Sequence, residues 1–345
     1  MSTSNQRIIL VGFGFMGEMH AQAYAGISNA RIVAIVDALP EPAREKTARL
    51  KLDAPVFTEL SAALAAVEAD IVDICLPTDR HASLAVEALE AGKHVFCEKP
   101  VALSLEETTR MRAAHAKTPG KFVQVGQCIR FWPEYQAFEK FVRAGTAGKL
   151  LSLTLQRRSG RPSYTTGNWI NDEARSLGAA LDLHIHDTDF VLHLLGTPEA
   201  VFSRGTRDAT GWSHIFTHYI YPSVAVQAEG GWNYPGTWGF QMAFQAVFER
   251  GAIEFDSGAT PSLRVTLDGA SPEPLPFIPA GGTANGTGGN LSSLGGYANE
   301  LTYFIDRVST GLAPEIATLE QAEESLRVTL AEIKSASANG SLERL

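Results

Sequence analysis

From residue 7 the chain alternates short apolar runs with segments whose apolar residues recur every three or four positions. Arg7–Val11, Arg31–Val36, Ile71–Leu76, His94–Cys97 and Phe122–Val125 read as buried strands, and Val56-Phe57 opens a shorter one. Between them, Phe15–Ala25, Glu41–Leu50, Leu60–Val67, Arg80–Ala91 and Leu105–Ala116 carry helical spacing. Strand and helix in strict alternation predict a doubly wound α/β domain with a parallel sheet over residues 1–128.

The rhythm changes after residue 128. Helices are expected near 133–144 and over 178–195, flanking a strand near 150–158. From Ala200 to about Leu275 the runs are β-branched and aromatic, broken by Gly and Pro, as in Ser213–Tyr221, Val224–Gly230 and Thr237–Glu249. These predict a second α/β domain, 129–345, built on an antiparallel sheet. Residues 281–296 are rich in Gly, Ser and Thr and read as a linker or as a loop closing over a substrate. Helices near 297–310 and 318–338 finish the chain, and no internal repeat is visible.

Length agrees, since 345 residues make two domains the natural expectation. A formal charge of −9 argues against a nucleic-acid surface or an anionic membrane as partner. No apolar stretch approaches a membrane span, and residues 1–6 carry no leader signature. Cys75, Cys97 and Cys128 follow no disulfide or zinc spacing, which reads as reduced, buried thiols in a cytoplasmic protein.

Candidate chemistry is concentrated in three places. Gly12-Phe13-Gly14-Phe15-Met16-Gly17 follows a strand and opens a helix. In such a loop the first glycine turns, the second admits a pyrophosphate and the third lets helix and strand pack. GxGxxG alone is weak in a chain with 31 glycines, but here both flanks fit. Asp37, ending the second strand, offers a carboxylate to ribose hydroxyls. With only Ala38 and Leu39 after it, and no arginine for a 2′-phosphate, NAD is favoured and NADP left possible.

Lys99 lies just past the strand ending in Glu98, at the sheet edge where doubly wound folds bind ligands. It could stabilise an alkoxide there, or be a surface lysine at a strand end. Asp182 and His186, spaced i, i+4, are expected on one helical face, the carboxylate orienting the imidazole for proton transfer or simply for structure. Asp182, His184, His186 and His193 also invite a metal reading. His184 and His186 lie roughly 200° apart around a helix, and no HExxH or Cys cluster is present, so no metal is expected.

Taken together, these stretches resemble the Gfo/Idh/MocA family of NAD(P)-dependent oxidoreductases, which includes glucose–fructose oxidoreductase and inositol dehydrogenases. The resemblance rests on Gly12–His20, on Leu76-Pro77-Thr78 with His81, and above all on Ala91–Pro100 with its Glu98-Lys99-Pro100. Arg130-Phe131 with Pro133, Leu177–Phe190, and Tyr297-Ala298-Asn299-Glu300-Leu301 with Phe304 extend it over nearly the whole chain.

The resemblance implies a Rossmann domain followed by an α/β domain whose large, open, mostly antiparallel sheet makes a homodimer or homotetramer. It implies reversible oxidation of a secondary hydroxyl on a sugar, inositol or derivative. Lys99 would hydrogen-bond the reacting oxygen, His186 would be the acid/base and Asp182 would orient it. Phe15, Met16, Leu76, Pro77, Thr78, His81 and Glu98 would border the cofactor, and the Lys99–Pro100 bond would be cis. Arg130, Trp132, Arg158, Asn168, Trp169 and Tyr297 are candidate substrate contacts. His184 stands where members often have a small residue, so it is expected to narrow the pocket or touch substrate. A non-catalytic NAD(P)-binding regulator and an NAD-dependent glycosidase are the rival readings.

Overall fold

The computed structural model describes residues 5–279 and 294–345. Residues 281–293 of the Gly/Ser-rich segment lie outside them, and so does its reading as linker or closing loop. The chain divides into two units. The first runs to Cys128 and takes in Tyr164–Trp169 and the described residues of Ala280–Glu323. The second holds Ile129–Ser163, Ile170–Pro279 and Glu324–Leu345.

The first unit is built on strands β1 (Gln6–Val11), β2 (Ala30–Val36), β3 (Val56–Phe57), β4 (Ile71–Ile74), β5 (His94–Glu98) and β6 (Val123–Gly126). All pair in parallel, in the order β3-β2-β1-β4-β5-β6. Helices α1 (Phe15–Tyr24), α2 (Pro40–Arg49), α3 (Leu60–Ala66), α4 (His81–Glu90) and α5 (Leu105–Ala116) make the crossovers. The strands are apolar on both faces because helices cover both. The order reverses between β1 and β4, and ligands of doubly wound sheets bind outside the carboxyl ends of the strands at such a point.

The second unit contains α6 (Pro133–Ala144), α7 (Glu173–Ser176), α8 (Ala179–Asp182) and α9 (Ile185–Leu195). Its strands are β7 (Leu150–Gly160), β8 (Ala200–Asp208), β9 (Gly211–Ile220), β10 (Ala225–Tyr234), β11 (Gln241–Phe248), β12 (Gly251–Asp256), β13 (Leu263–Leu267), β14 (Glu273–Pro274) and β15 (Glu343–Arg344). They form one sheet of nine, in the order β14-β13-β12-β11-β7-β10-β9-β8-β15. It is mostly antiparallel, but β7 and β10 run parallel at its centre. An aromatic layer joins α6 and α9 to the sheet. Tyr135 and Phe138 pack on Phe190, and both rings meet Phe244.

Two helices complete the chain: α10 (Gly295–Thr310), in the first unit, and α11 (Leu319–Ser337), whose residues from Glu324 belong to the second. Leu301, Phe304 and Ile305 of α10 are fully buried in the core formed with Ile8, Leu10, Ile35 and Phe96. Among the described residues no helix is long and apolar enough to cross a membrane.

Candidate active site

The glycine loop meets its three steric demands in three different ways. Gly12 has φ +89°, and a Cβ there would lie 2.5 Å from the Cys75 carbonyl oxygen. A Cβ on Gly17 would lie 1.9 Å from the carbonyl oxygen of Gly12. Gly14 instead faces open space, with nothing within 4 Å among the described residues. The loop is therefore closed on the strand side and bare at Gly14, as a pyrophosphate needs. The Glu18 N–H bonds back to the Gly14 carbonyl, so the N–H groups of Phe15, Met16 and Gly17 precede the first helical donor and point off the end of α1. Gly17→Ala must push α1 off β1 and is expected to weaken NADH binding at least ~10-fold, read by fluorescence titration.

Asp37 is held rigidly at the end of β2. Its Oδ2 accepts the Phe13 N–H at 2.7 Å and its Oδ1 the Leu39 N–H at 2.8 Å. Each oxygen keeps a lone pair for a ribose hydroxyl. Lys46, which the sequence reading passed over, donates to the Phe13 carbonyl at 2.7 Å and braces the loop. The loop, the helix end and Asp37 thus fit a dinucleotide.

Across the switch point, Cys75 follows β4 and Thr78 is buried. His81 ties this turn to the next strand. Its Nδ1 lies 2.7 Å from the Pro100 carbonyl oxygen and its Nε2 2.8 Å from that of Leu76. Burial lowers the His81 pKa, whereas its two carbonyl partners favour the charged form. Burial outweighs them, so the neutral ring donates to only one carbonyl at a time. The Lys99–Pro100 bond is cis.

Glu98 ends β5 and is 3% exposed. Its Oε2 accepts the backbone N–H of Lys99 at 3.1 Å, and its Oε1 lies 3.1 Å from His20 Nε2. The other ring nitrogen of His20 is 2.8 Å from Asp73 Oδ2, which also accepts the Tyr24 hydroxyl. Burial opposes a positive charge on His20, but Asp73 and Cys75 outweigh it and hold its pKa well above the ordinary value. Tyr297 is buried in the same unit. Burial, then the charges of Cys128, Glu98 and Glu300, push its pKa well up.

In the second unit the single helix expected over 178–195 is two, and Asp182 and His186 stand on either side of the break. The N–H groups of Leu183 and His184 both reach the Ala179 carbonyl, so one residue is looped out. The cause lies in the sheet. Gly230 of β10 has no Cβ, and the Cβ of His184 sits 2.7 Å from where one would be. His184 sinks into that gap and is fully buried, 3.2 Å from Glu332 Oε2 and 3.2 Å from Thr217 Oγ1. The helix thus bulges to bury His184 against Thr217 and Glu332.

Arg130 is buried as well. It is 4% exposed, and its guanidinium makes a two-pronged pair with Asp189, both contacts at 2.7 Å. Arg157 does the same to Asp187, at 3.0 and 2.9 Å. These two arginines anchor the helix that carries His186, which is itself 8% exposed. Trp169 is half-buried in a segment grouped with the first unit.

A glycine loop at the switch point of a parallel sheet, with an aspartate just past the end of the neighbouring strand, is the arrangement of a dinucleotide-binding protein. A profile of the Gfo/Idh/MocA oxidoreductase family, described as an NAD-binding Rossmann fold, matches residues 6–127, and that of the family's C-terminal domain matches residues 135–267. The inositol 2-dehydrogenase of Rhizobium meliloti is 29% identical over 93% of this chain and 96% of its own. That of Corynebacterium glutamicum is 31% identical over 71% of this chain and 72% of its own. Levoglucosan dehydrogenase, solved in complex with NADH and levoglucosan, shares the fold, with a TM-score of 0.83 at 22% identity over 99% of both chains. The chain belongs to the Gfo/Idh/MocA family and is an NAD-dependent oxidoreductase.

Proposed function

We propose that the protein oxidises a secondary hydroxyl of a sugar, an inositol or a sugar derivative, reversibly and with NAD. The observation that carries this reading is the clamp on Lys99. Glu98 holds its N–H, and His81 lies 2.7 Å from the carbonyl of the residue after it, beside the strand ends where the nicotinamide belongs. When bound, the cofactor supplies the hydride acceptor. Lys99 hydrogen-bonds the reacting oxygen and stabilises its alkoxide character. His186 takes the hydroxyl proton and Asp182 orients it. Pro77, Thr78 and Glu98 border the nicotinamide, and Trp169 and Tyr297 contact substrate. The relatives named above, which act on an inositol and on levoglucosan by their names, support the choice of a cyclic polyol or sugar.

The reading extends to a cytoplasmic homodimer or homotetramer formed through the large sheet. In it, residues 1–128 carry the cofactor and 129–345 the substrate side.

The test is NADH formation across inositols, aldoses, deoxy-sugars and anhydro-sugars, with NAD⁺ and NADP⁺ in parallel. Turnover of at least one ring alcohol is expected, with NAD⁺ preferred by about tenfold or more because Asp37 repels a 2′-phosphate. NADH binding without turnover over the whole panel would favour a regulator. Bond cleavage without net NADH would favour a glycosidase.

A further inference from the structure

We propose that Glu300 and His20 are positioning residues for Lys99, which hold the Glu98 carboxylate from two sides and through it fix the backbone at the reacting lysine. The inference rests on the assignment of Lys99 to the reacting oxygen.

Glu300 breaks the pattern of its own helix. The buried face of α10 runs Tyr297, Glu300, Leu301, Phe304, Ile305, a regular apolar stripe with one carboxylic acid in it. That acid is fully buried, and neither of its oxygens has a hydrogen-bond partner among the described residues. A carboxylate buried without a donor costs far more than an apolar side chain of the same shape. Its presence asks for a function. One ring nitrogen of His20 and one carboxyl oxygen each of Glu98 and Glu300 all lie within 4.8 Å of one another, so Glu300 is aimed at the Glu98 and His20 pair.

The groups around this point come from four elements. They are His20 and Tyr24 on α1, Asp73 on β4 with Cys75 just beyond it, Cys97 and Glu98 on β5, and Tyr297 and Glu300 on α10. His20 is the only cation in that set, and it is already paired with Asp73 and Glu98. A third carboxylate charge has no partner there. Burial, and then the charge of Glu98, push the Glu300 carboxyl well above the ordinary glutamate range. As a neutral acid Glu300 has an O–H to give, and the Glu98 carboxylate is the acceptor it faces.

The sheet is cut to admit this arrangement. Gly126 pairs with Glu98 across β5 and β6, and a Cβ on it would lie 2.7 Å from Glu98 Oε1. Glu98 is thus confined by Gly126, bound at Oε1 by His20, and left with Oε2 for the Lys99 N–H. Loosening any of these walls lets the lysine drift, and a displacement on the order of 1 Å costs about 10²-fold in rate.

The experiment compares Glu300→Leu, Glu300→Gln, Gly126→Ala and Lys99→Ala in the full-length enzyme. Steady-state kinetics are run on the best ring alcohol of the panel, with NADH titrations in parallel. Glu300→Leu and Gly126→Ala are expected to bind NADH normally, keep KM for NAD⁺ and lose about 10²-fold in kcat. Glu300→Gln, the shape of the neutral acid, is expected to restore most of that loss. A protonated-carboxyl C=O stretch present in the wild type at neutral pH and absent in Glu300→Gln is the direct signature. It decides the matter even if Glu300→Leu does not fold. Unchanged kcat in Glu300→Leu, Glu300→Gln as damaged as Glu300→Leu, no such stretch, or a stoichiometric metal in the purified protein would each overturn the inference. If Lys99→Ala keeps activity, the role assigned to Lys99 falls. If only Lys99→Ala loses activity, the positioning role alone falls.

Discussion

Lys99→Met is expected to lower kcat/KM for a ring alcohol by about a thousand-fold while leaving NADH affinity within a few-fold of the wild type. The split follows from the two tasks the first unit performs. The phosphates and ribose are assigned to the glycine loop, the end of α1 and Asp37, none of which involves the lysine side chain. Lys99 is assigned only to the oxygen that gains charge as hydride leaves. That interaction strengthens toward the transition state and so belongs in kcat rather than in binding. A thousand-fold corresponds to ~4 kcal/mol of transition-state stabilisation, within the range for a single charged donor at a developing oxyanion. Methionine keeps the length and apolar stem of lysine, so the loss is the loss of charge. Steady-state kinetics beside fluorescence titration of NADH separate the two. A variant that keeps more than a tenth of the activity would remove Lys99 from the chemistry.

The nucleotide-binding half was legible because its constraints are local and steric. A Cβ on Gly17 would meet the carbonyl of Gly12, five residues back, so the chain itself dictates glycine there. Asp37 accepts the N–H groups of Phe13 and Leu39, and its place at a strand end could be read from the apolar run before it. What escaped was set by distant residues. Arg130 meets Asp189 across 59 positions, and in the chain both look like solvent-facing or ligand-facing charges. The break before His186 is invisible in the sequence, because Leu181, Ile185, Val191 and Leu192 keep helical spacing through it. Its cause is the missing side chain of Gly230 on another strand. The parallel pairing of β7 with β10 was hidden for a similar reason, since β propensity marks a strand without giving its direction. Glu300 did leave a signal, a lone acid on an apolar stripe.

The second large effect is one of stability. Arg130→Met is expected to destabilise the second unit by about 3–5 kcal/mol, because Asp189 is left charged in the interior. Asp189 is fully buried and, besides Arg130, accepts the Ser325 hydroxyl at 2.7 Å, one neutral donor that cannot offset a full charge. A substrate contact would behave otherwise. Its loss would raise KM and leave the folding midpoint in place, so chemical denaturation with an unchanged m-value beside kinetics tells the two roles apart. The double variant Arg130→Met/Asp189→Leu sharpens the case. With both charges gone the site is apolar, and most of the loss is expected to return. Recovery would assign the cost to an unpaired carboxylate rather than to the pair's own attraction. A double variant as unstable as the single one would mean that the two-pronged contact supplies packing and geometry that no apolar pair reproduces. The helix carrying His186 would then depend on the ion pair itself for its position.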